Sequence, residues 1–297
     1  MAEIKKVGIV GCGLMGHGIA QVVATAGYDV VVREVDDATL QKGLGKIEKQ
    51  LARAVEKGKS SQEDADAIRA RLTGTTDYAD LAGSDLVIEA ITEDLALKLE
   101  LWKELDAIVK PEALFFTNTS SLAVIDQAAA TARPAAFAGL HFFNPAQVMK
   151  LVEVVRGITT SDETFDAALA FAGTLGGKTP IPTRDKAGFI VNRLLVPYMI
   201  DAIRAYEEGV GTIAEIDAAM KAGAGHPMGP LALCDLVGND TVGAIAEVLF
   251  TEFRSGRFAQ PPLLRKMLAA GWYGRKSGLG FYDYSGAEPV ENPGLAR

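Results

Sequence analysis

The chain has 297 residues, a formal net charge of −8 and 48% hydrophobic residues. That length suits two domains better than one, and the apolar fraction argues against disorder. The negative balance argues against a nucleic-acid partner, whose phosphates call for clustered Lys and Arg.

Cys12 and Cys234 are too few for a disulfide framework and have no metal-ligand neighbours, so both are expected as reduced thiols in a cytoplasmic protein without a metal. The opening MAEIKKVGIV runs at once into strand residues, which predicts no secretory leader. No apolar run reaches the roughly eighteen residues a membrane span needs, so no membrane association is expected.

In chain order, residues 4–10 read as a buried strand, 14–26 as a small-residue helix and 29–35 as a second strand. A polar helix over 38–57 follows, then an apolar run at 85–91, a helix at 94–109, a strand at 113–117 and a helix near 122–130. Strands at 136–142 and 151–155 complete the first half. This alternation predicts an α/β fold with an open, mostly parallel sheet and helices on both faces. At 179–189 the stretch TPIPTRDKAGF has two prolines and no clear period, and strand-like runs then almost vanish. Helices are expected at 190–208, with Pro197 as a potential kink, and at 212–222, 229–253 and 261–270. The predicted organisation is a Rossmann-type domain over 1–184 and an all-helical domain over 185–297.

The first strand runs into Gly11-Cys12-Gly13-Leu14-Met15-Gly16, a G-x-G-x-x-G between a strand and a helix. Gly11 permits a tight turn, Gly13 lets backbone approach a pyrophosphate, and Gly16 lets the helix pack on the strand. The helix start, at Leu14, Met15 and Gly16, presents free N–H groups to the phosphates. An acidic residue, Glu34, ends the second strand. A carboxylate there accepts from ribose hydroxyls and repels a 2′-phosphate, which favours NAD over NADP. The adjacent Arg33 pulls the other way, since an Arg there can pair with that phosphate.

On the helix over 38–57, Lys42, Lys46, Lys49, Arg53 and Lys57 are spaced four, three, four and four apart and share one face. Such a stripe is either a solvated face paired with Glu48 and Glu56 or a cradle for a phosphate-rich substrate.

Further stretches carry a resemblance. GCGLMGHGIAQ at 11–21, NTSSL at 118–122, HFFNP at 141–145, LVEVV at 151–155, GFIVNRLLVP at 188–197, GHPMGP at 225–230 and KSGLGFY at 276–282 occur in that order. Over essentially its whole length the chain resembles the L-3-hydroxyacyl-CoA dehydrogenase family, and in length and order its short bacterial 3-hydroxybutyryl-CoA branch. The resemblance implies reversible oxidation of an L-3-hydroxyacyl-CoA to the 3-ketoacyl-CoA with NAD, and a homodimer formed through the helical domain. It also implies a CoA contact at Lys57, although the family's Ser seven residues earlier is Gln50 here. Glu93 and Lys98 match residues touching the nicotinamide half of NAD, Asn144 one near both cofactor and substrate, and Lys276 a late Lys that reaches the NAD site. Relatives of the same fold that oxidise L-gulonate or L-carnitine, and non-catalytic crystallins of related sequence, are the competing readings. The basic stripe disfavours the first, and the joint presence of His141, Glu153, Ser120 and Asn192 disfavours the second.

Oxidising an alcohol by hydride removal needs a base for the hydroxyl proton, and the reverse needs an acid for the developing alkoxide. Of His17, His141 and His226, His141 is the candidate, near the expected carboxyl edge of the sheet where open α/β folds bind ligands. Glu153 is a charge in an apolar strand, costly unless paired, and is expected to orient His141 and stabilise its imidazolium. Ser120 either caps the following helix, a role open also to Ser121, or stands beside substrate and cofactor as the family implies. Asn192 is expected to hold a substrate oxygen and so complete the substrate cleft from the second domain, or else to make a helix hydrogen bond. His17 is expected as a packing or solvent position, His226 as part of a turn, and Cys12 as a thiol open to modification near a helix N-terminus.

Overall fold

A computed structural model describes residues 3–295; Met1 and Ala2 of the opening segment, and Ala296 and Arg297 at the end of the helical domain, lie outside the described residues. The chain divides into two compact units, 1–189 and 190–297.

The first unit is built on an eight-stranded sheet. Its elements in order are β1 (Lys6–Val10), α1 (Gly16–Thr25), β2 (Asp29–Arg33), α2 (Asp37–Glu56), α3 (Gln62–Ala70), β3 (Leu72–Thr75), β4 (Leu86–Glu89), α4 (Leu95–Ile108), β5 (Leu114–Thr117), α5 (Val124–Ala128), β6 (Phe137–Phe142), β7 (Leu151–Arg156), α6 (Asp162–Thr174) and β8 (Thr179–Arg184). The spatial order is β3-β2-β1-β4-β5-β6-β7-β8. Every pair is parallel except β6 and β7. Strands β4, β5 and β6 are buried throughout, which is why their sequences are continuous apolar runs rather than alternating ones.

Alternate residues of β2 show the two layers. Val30 and Val32 enter a core with Ile19, Val23 and Ile47 of α1 and α2, while Val31 enters the opposite core with Leu101, Trp102 and Phe115. In that second core Trp102 packs tilted against Phe115 and edge-to-face against Phe137, with ring centroids 5.1 and 4.7 Å away, and its indole N–H donates to Gln127 at 3.0 Å.

Four elements of this unit differ from expectation, one of them α6, a helix over residues for which no element is predicted. α3 and β3 fall in a stretch with no sequence signal: β3 is four edge residues, LTGT, without an alternating apolar face. β8 occupies the proline-rich segment read as irregular. It pairs in parallel with β7, and the Thr179 N–H donates to the Lys150 carbonyl. A parallel edge strand turns alternate N–H groups outward, so Pro180 and Pro182 sit where no donor is needed. The 185–189 segment stays with the first unit, because Asp185 bonds the start of α5 and Phe189 packs on His141.

The second unit comprises α7 (Val191–Glu207), which runs through Pro197, α8 (Ile213–Ala224), α9 (Pro230–Val237), α10 (Asn239–Phe253), α11 (Pro262–Ala269) and a two-stranded ribbon of β9 (Tyr282–Asp283) and β10 (Val290–Glu291). The single helix expected over 229–253 is two, because Gly238 at φ +100° breaks it. Two buried carboxylates clasp this unit. Asp217 accepts from the N–H groups of Leu231 and Ala232 at the start of α9, and Asp235 from those of Phe281 and Tyr282. A Cβ on Gly229 would lie 2.2 Å from the Asp217 side chain, and one on Gly280 2.0 Å from Asp235. GHPMGP thus closes a helix-capping clasp at the start of α9, and KSGLGFY a clasp that holds the start of β9 against α9. His226 Nδ1 lies 2.9 Å from the Tyr198 hydroxyl. Among the described residues, no helix is long and apolar enough to cross a membrane.

Candidate active site

The carboxyl ends of β1, β2, β4, β5 and β6 gather most of the expected residues of the first unit. At β1 the glycine loop is tight on both sides. Gly11 has φ +96°, and a Cβ there would meet the Ala90 carbonyl oxygen at 2.6 Å. A Cβ on Gly16 would lie 1.8 Å from the Gly11 carbonyl oxygen. A Cβ on Gly13 would meet nothing within 4 Å. Packing therefore demands glycine at 11 and 16, whereas the space over Gly13 is open, as a phosphate cradle requires. Leu14 is 66% exposed beside that space, and Met15 is the half-buried N-cap of α1, without a capping side chain that would consume the free N–H groups.

Glu34 leaves the end of β2 on the same side. Its carboxylate accepts from the Cys12 N–H at 2.8 Å and the Val35 N–H at 2.7 Å. It thereby fixes the loop while keeping acceptor capacity for other donors. Cys12 is buried against Gly43 of α2. Burial, with Glu34 nearby, pushes its thiol up to about 12, which corrects the expectation of a modifiable cysteine. His17 is 8% exposed, and its Nδ1–H donates to the Gly13 carbonyl at 2.6 Å.

Glu89, the last residue of β4, is fully buried. It accepts from Lys98 Nζ at 2.7 Å, the Ile91 N–H at 2.8 Å and the Thr117 hydroxyl at 2.6 Å. The Lys98 ammonium also lies 3.1 Å from Glu93. Glu93 Oε1 collects the Thr119 hydroxyl at 2.6 Å and the N–H groups of Ser120 and Ser121 at 2.8 and 3.0 Å. Burial pushes the Glu93 carboxyl up, but Lys98 and these hydrogen bonds outweigh it and hold the group down at about 2. Lys98 itself is 1% exposed, so any influence it has on a ligand passes through Glu93.

The Ser120 hydroxyl is 3.3 Å from Glu93, and neither Ser120 nor Ser121 caps a helix. The cap of α5 is remote: the Asp185 carboxylate accepts from the Val124 and Ile125 N–H groups at 3.0 and 2.9 Å.

At β6, the antiparallel pairing sets His141 directly opposite Glu153. His141 Nδ1 lies 2.7 Å from Glu153 Oε2, with exposures of 5% and 0% for the two residues. The imidazole is flanked by the rings of Phe143 and Phe189, at 4.5 and 5.6 Å between centroids. Phe189 has φ +44°, a conformation that costs about 1–3 kcal/mol for a bulky residue and clusters at functional sites. The Phe142 N–H donates to Asn118 at 2.9 Å, tying the ends of β5 and β6. Asn144 stands exposed in the loop after β6.

Residues 6–186 match the family model described as "3-hydroxyacyl-CoA dehydrogenase, NAD binding domain", and residues 188–284 the one described as "3-hydroxyacyl-CoA dehydrogenase, C-terminal domain". The chain belongs to the 3-hydroxyacyl-CoA dehydrogenase family. It is 47% identical over 282 residues to a 3-hydroxybutyryl-CoA dehydrogenase of Mycobacterium tuberculosis, covering 95% of this chain and 99% of that protein. It is 44% identical over 288 residues to the human mitochondrial hydroxyacyl-coenzyme A dehydrogenase, covering 95% and 91%. The crystal structure of a (S)-3-hydroxybutyryl-CoA dehydrogenase from Ralstonia eutropha superposes with a TM-score of 0.92 at 45% identity, covering 96% of this chain and 100% of that one. The family's N-terminal domain binds NAD, and the glycine loop with its open cradle fits that cofactor.

In this 3-hydroxyacyl-CoA dehydrogenase, Lys42, Lys49, Arg53 and Lys57 are exposed and Lys46 is half-buried. Glu48, one of the two acids offered as their partners, instead pairs with Arg69 of α3 at 2.6 Å. Gln50, on the neighbouring face, accepts from Gln147 at 2.6 Å. Asn192 is the second residue of α7, and Lys276 pairs with Asp240 at 2.5 Å.

Sequence reasoning missed Glu89, Thr117 and Asp185. For Glu89 a signal was available: a carboxylate inside the apolar run DLVIEAI is the same anomaly that singled out Glu153 in LVEVV.

Proposed function

We propose that the protein reversibly oxidises an L-3-hydroxyacyl-CoA, preferring the short 3-hydroxybutyryl-CoA, to the 3-ketoacyl-CoA. The observation that carries this reading is the buried His141–Glu153 pair at the carboxyl edge of the sheet, in a chain of this family. The backbone at Gly11, Gly13, Leu14, Met15 and Gly16 would hold the NAD pyrophosphate, and Glu34 the adenine ribose. Glu93, with Ser120 ordered by it, and Asn144 would face the nicotinamide half. NAD bound there supplies the hydride acceptor.

The proton is the work of His141. Its Nδ1–H donates to Glu153, which leaves Nε2 as the lone pair for the substrate hydroxyl proton. As that proton arrives the ring becomes an imidazolium, and the carboxylate 2.7 Å away stabilises it. In the reductive direction the Nε2–H returns the proton to the alkoxide oxygen. Phe143 and Phe189 confine the ring and exclude water from its faces. The exposed cations of α2, ending at Lys57, suit the phosphates of CoA, which favours a thioester of CoA over a free hydroxy acid. The roles of Asn192 and Lys276 rest on the family resemblance alone.

We further propose a cytoplasmic homodimer. Both cysteines are free thiols, as a reducing compartment favours, and the helical unit exposes Leu194, Val210 and Leu236. Sedimentation giving a 31.4 kDa species at micromolar concentration would exclude the dimer.

The deciding assay follows NADH oxidation with acetoacetyl-CoA, repeated with NADPH. Rapid turnover with NADH is expected; no turnover with either cofactor would overturn the short-chain reading and turn the assay to longer acyl chains, L-gulonate and L-carnitine.

A further inference from the structure

Arg33 stands one residue before the ribose-binding candidate Glu34, yet the two side chains leave the sheet on opposite faces. Val30 and Val32 face the core beneath α1 and α2, and Glu34 continues that side by bonding the Cys12 N–H at 2.8 Å. Val31 faces the other core, and Arg33 follows it. There the Arg33 guanidinium lies 3.6 Å from the centroid of the Tyr78 ring, and its Nε–H donates to the Thr76 carbonyl at 3.3 Å.

The platform is firmly placed. Tyr78 opens a short 3-10 turn, Tyr78–Leu81, whose Asp77 N-cap accepts from the Ala79 N–H at 2.9 Å and whose Leu81 is fully buried. Tyr78 also packs on the core that holds Trp102 and Phe115. A guanidinium stacked on an aromatic face and bonded to a carbonyl is satisfied where it is, and a phosphate on the Glu34 side must draw it away from both partners.

We propose that Tyr78 is a specificity-determining residue, which stows Arg33 on the far face of the sheet and so withholds it from a 2′-phosphate on the adenosine ribose. Selectivity for NAD then has two parts: repulsion by Glu34, and sequestration of the adjacent Arg33 cation that would offset it. The inference rests on the reading of Glu34 as the ribose site.

The test is calorimetric binding of adenosine 2′,5′-bisphosphate against 5′-AMP to the full-length protein. Tyr78→Leu frees Arg33 and is expected to raise the preference for the bisphosphate about tenfold, the scale of one charge-assisted contact. Tyr78→Phe keeps the stack and should match the unaltered protein. Arg33→Gln should cancel the gain in the Tyr78→Leu background and leave the bisphosphate affinity unchanged on its own. An unchanged ratio in Tyr78→Leu overturns the proposal. Weaker bisphosphate binding in Arg33→Gln alone also overturns it, and that variant decides the matter even if Tyr78→Leu does not fold. Glu34→Ala separates the two readings: if it leaves the ratio unchanged, the ribose assignment fails and this inference falls with it. If it raises the ratio while Tyr78→Leu does not, only the stowing of Arg33 is wrong.

Discussion

His141 and Glu153 are twelve residues apart in the chain and face one another across the antiparallel seam of the sheet, with Nδ1 2.7 Å from Oε2. A parallel β7 would need a long crossover before it could present a residue to β6. The reversal of one strand lets a short loop deliver the carboxylate to the imidazole in direct register.

Replacing either partner separates chemistry from binding. His141→Gln should remove most turnover while NADH binding, followed by fluorescence, stays nearly intact. Glu153→Gln should lower kcat by about 10²–10⁴-fold, the loss expected when a general base is deprived of its orienting acid. Activity close to that of the unaltered protein in His141→Gln would refute the base assignment.

The glycine loop offers a sharper contrast. Gly13→Ala puts a methyl into open space, so the thermal midpoint should hold, but NADH affinity should fall at least about tenfold because the pyrophosphate loses its approach. Gly16→Ala drives a methyl against the Gly11 carbonyl and should lower both stability and binding. Equal NADH affinity in Gly13→Ala and the unaltered protein would show that the open space is not the cradle.

Glu89→Gln leaves the Lys98 ammonium buried with only Glu93 as a charged partner. Breaking such a buried pair costs about 3 kcal/mol, which denaturant unfolding would read directly. A change below about 0.5 kcal/mol would mean that Glu93 alone suffices to hold Lys98.

Acid should loosen the Ser120 turn. The Glu93 carboxyl is held at about 2, below its ordinary 4.5, so its ionised form favours the folded state. That contribution is complete above about pH 4.5 and disappears as pH falls towards 2. Hydrogen exchange at the Ser120 and Ser121 amides should accelerate across that window, and Glu93→Gln should abolish the pH dependence. His17 has the opposite charge and the same direction of loss: burial lowers its pKa from 6.5, so its resonance should titrate below that value.

Asp185→Ala removes the two hydrogen bonds that begin α5 and should cost about 1–2 kcal/mol, the range for loss of a helix cap. Calorimetry should show a lower midpoint, with no change if the five-residue helix is held by its packing alone.

Much of this architecture was legible in the residues. The buried strands announce themselves as apolar runs, the glycine loop by its context, and Glu153 as a charge in an apolar strand. What escaped has physical reasons. β8 hides because Pro180 and Pro182 contradict strand propensity everywhere except at outward-facing edge positions. β3 hides because an exposed four-residue edge strand need not alternate. The cap of α5 hides because its carboxylate lies 61 residues from Val124, and no local pattern reports a partner that only tertiary folding supplies. The stacking of Arg33 on Tyr78 is unreadable for the same reason, although both residues are in plain view.

The two prolines of β8 also bear on what the sheet can meet in a crowded solution. An edge strand with free donors and acceptors is a template on which another chain can add. Here two successive outward positions offer carbonyls but no N–H groups, so an incoming strand would find its own acceptors unanswered there. The edge next to the His141–Glu153 seam is thus chemically blunted against growth by strand addition.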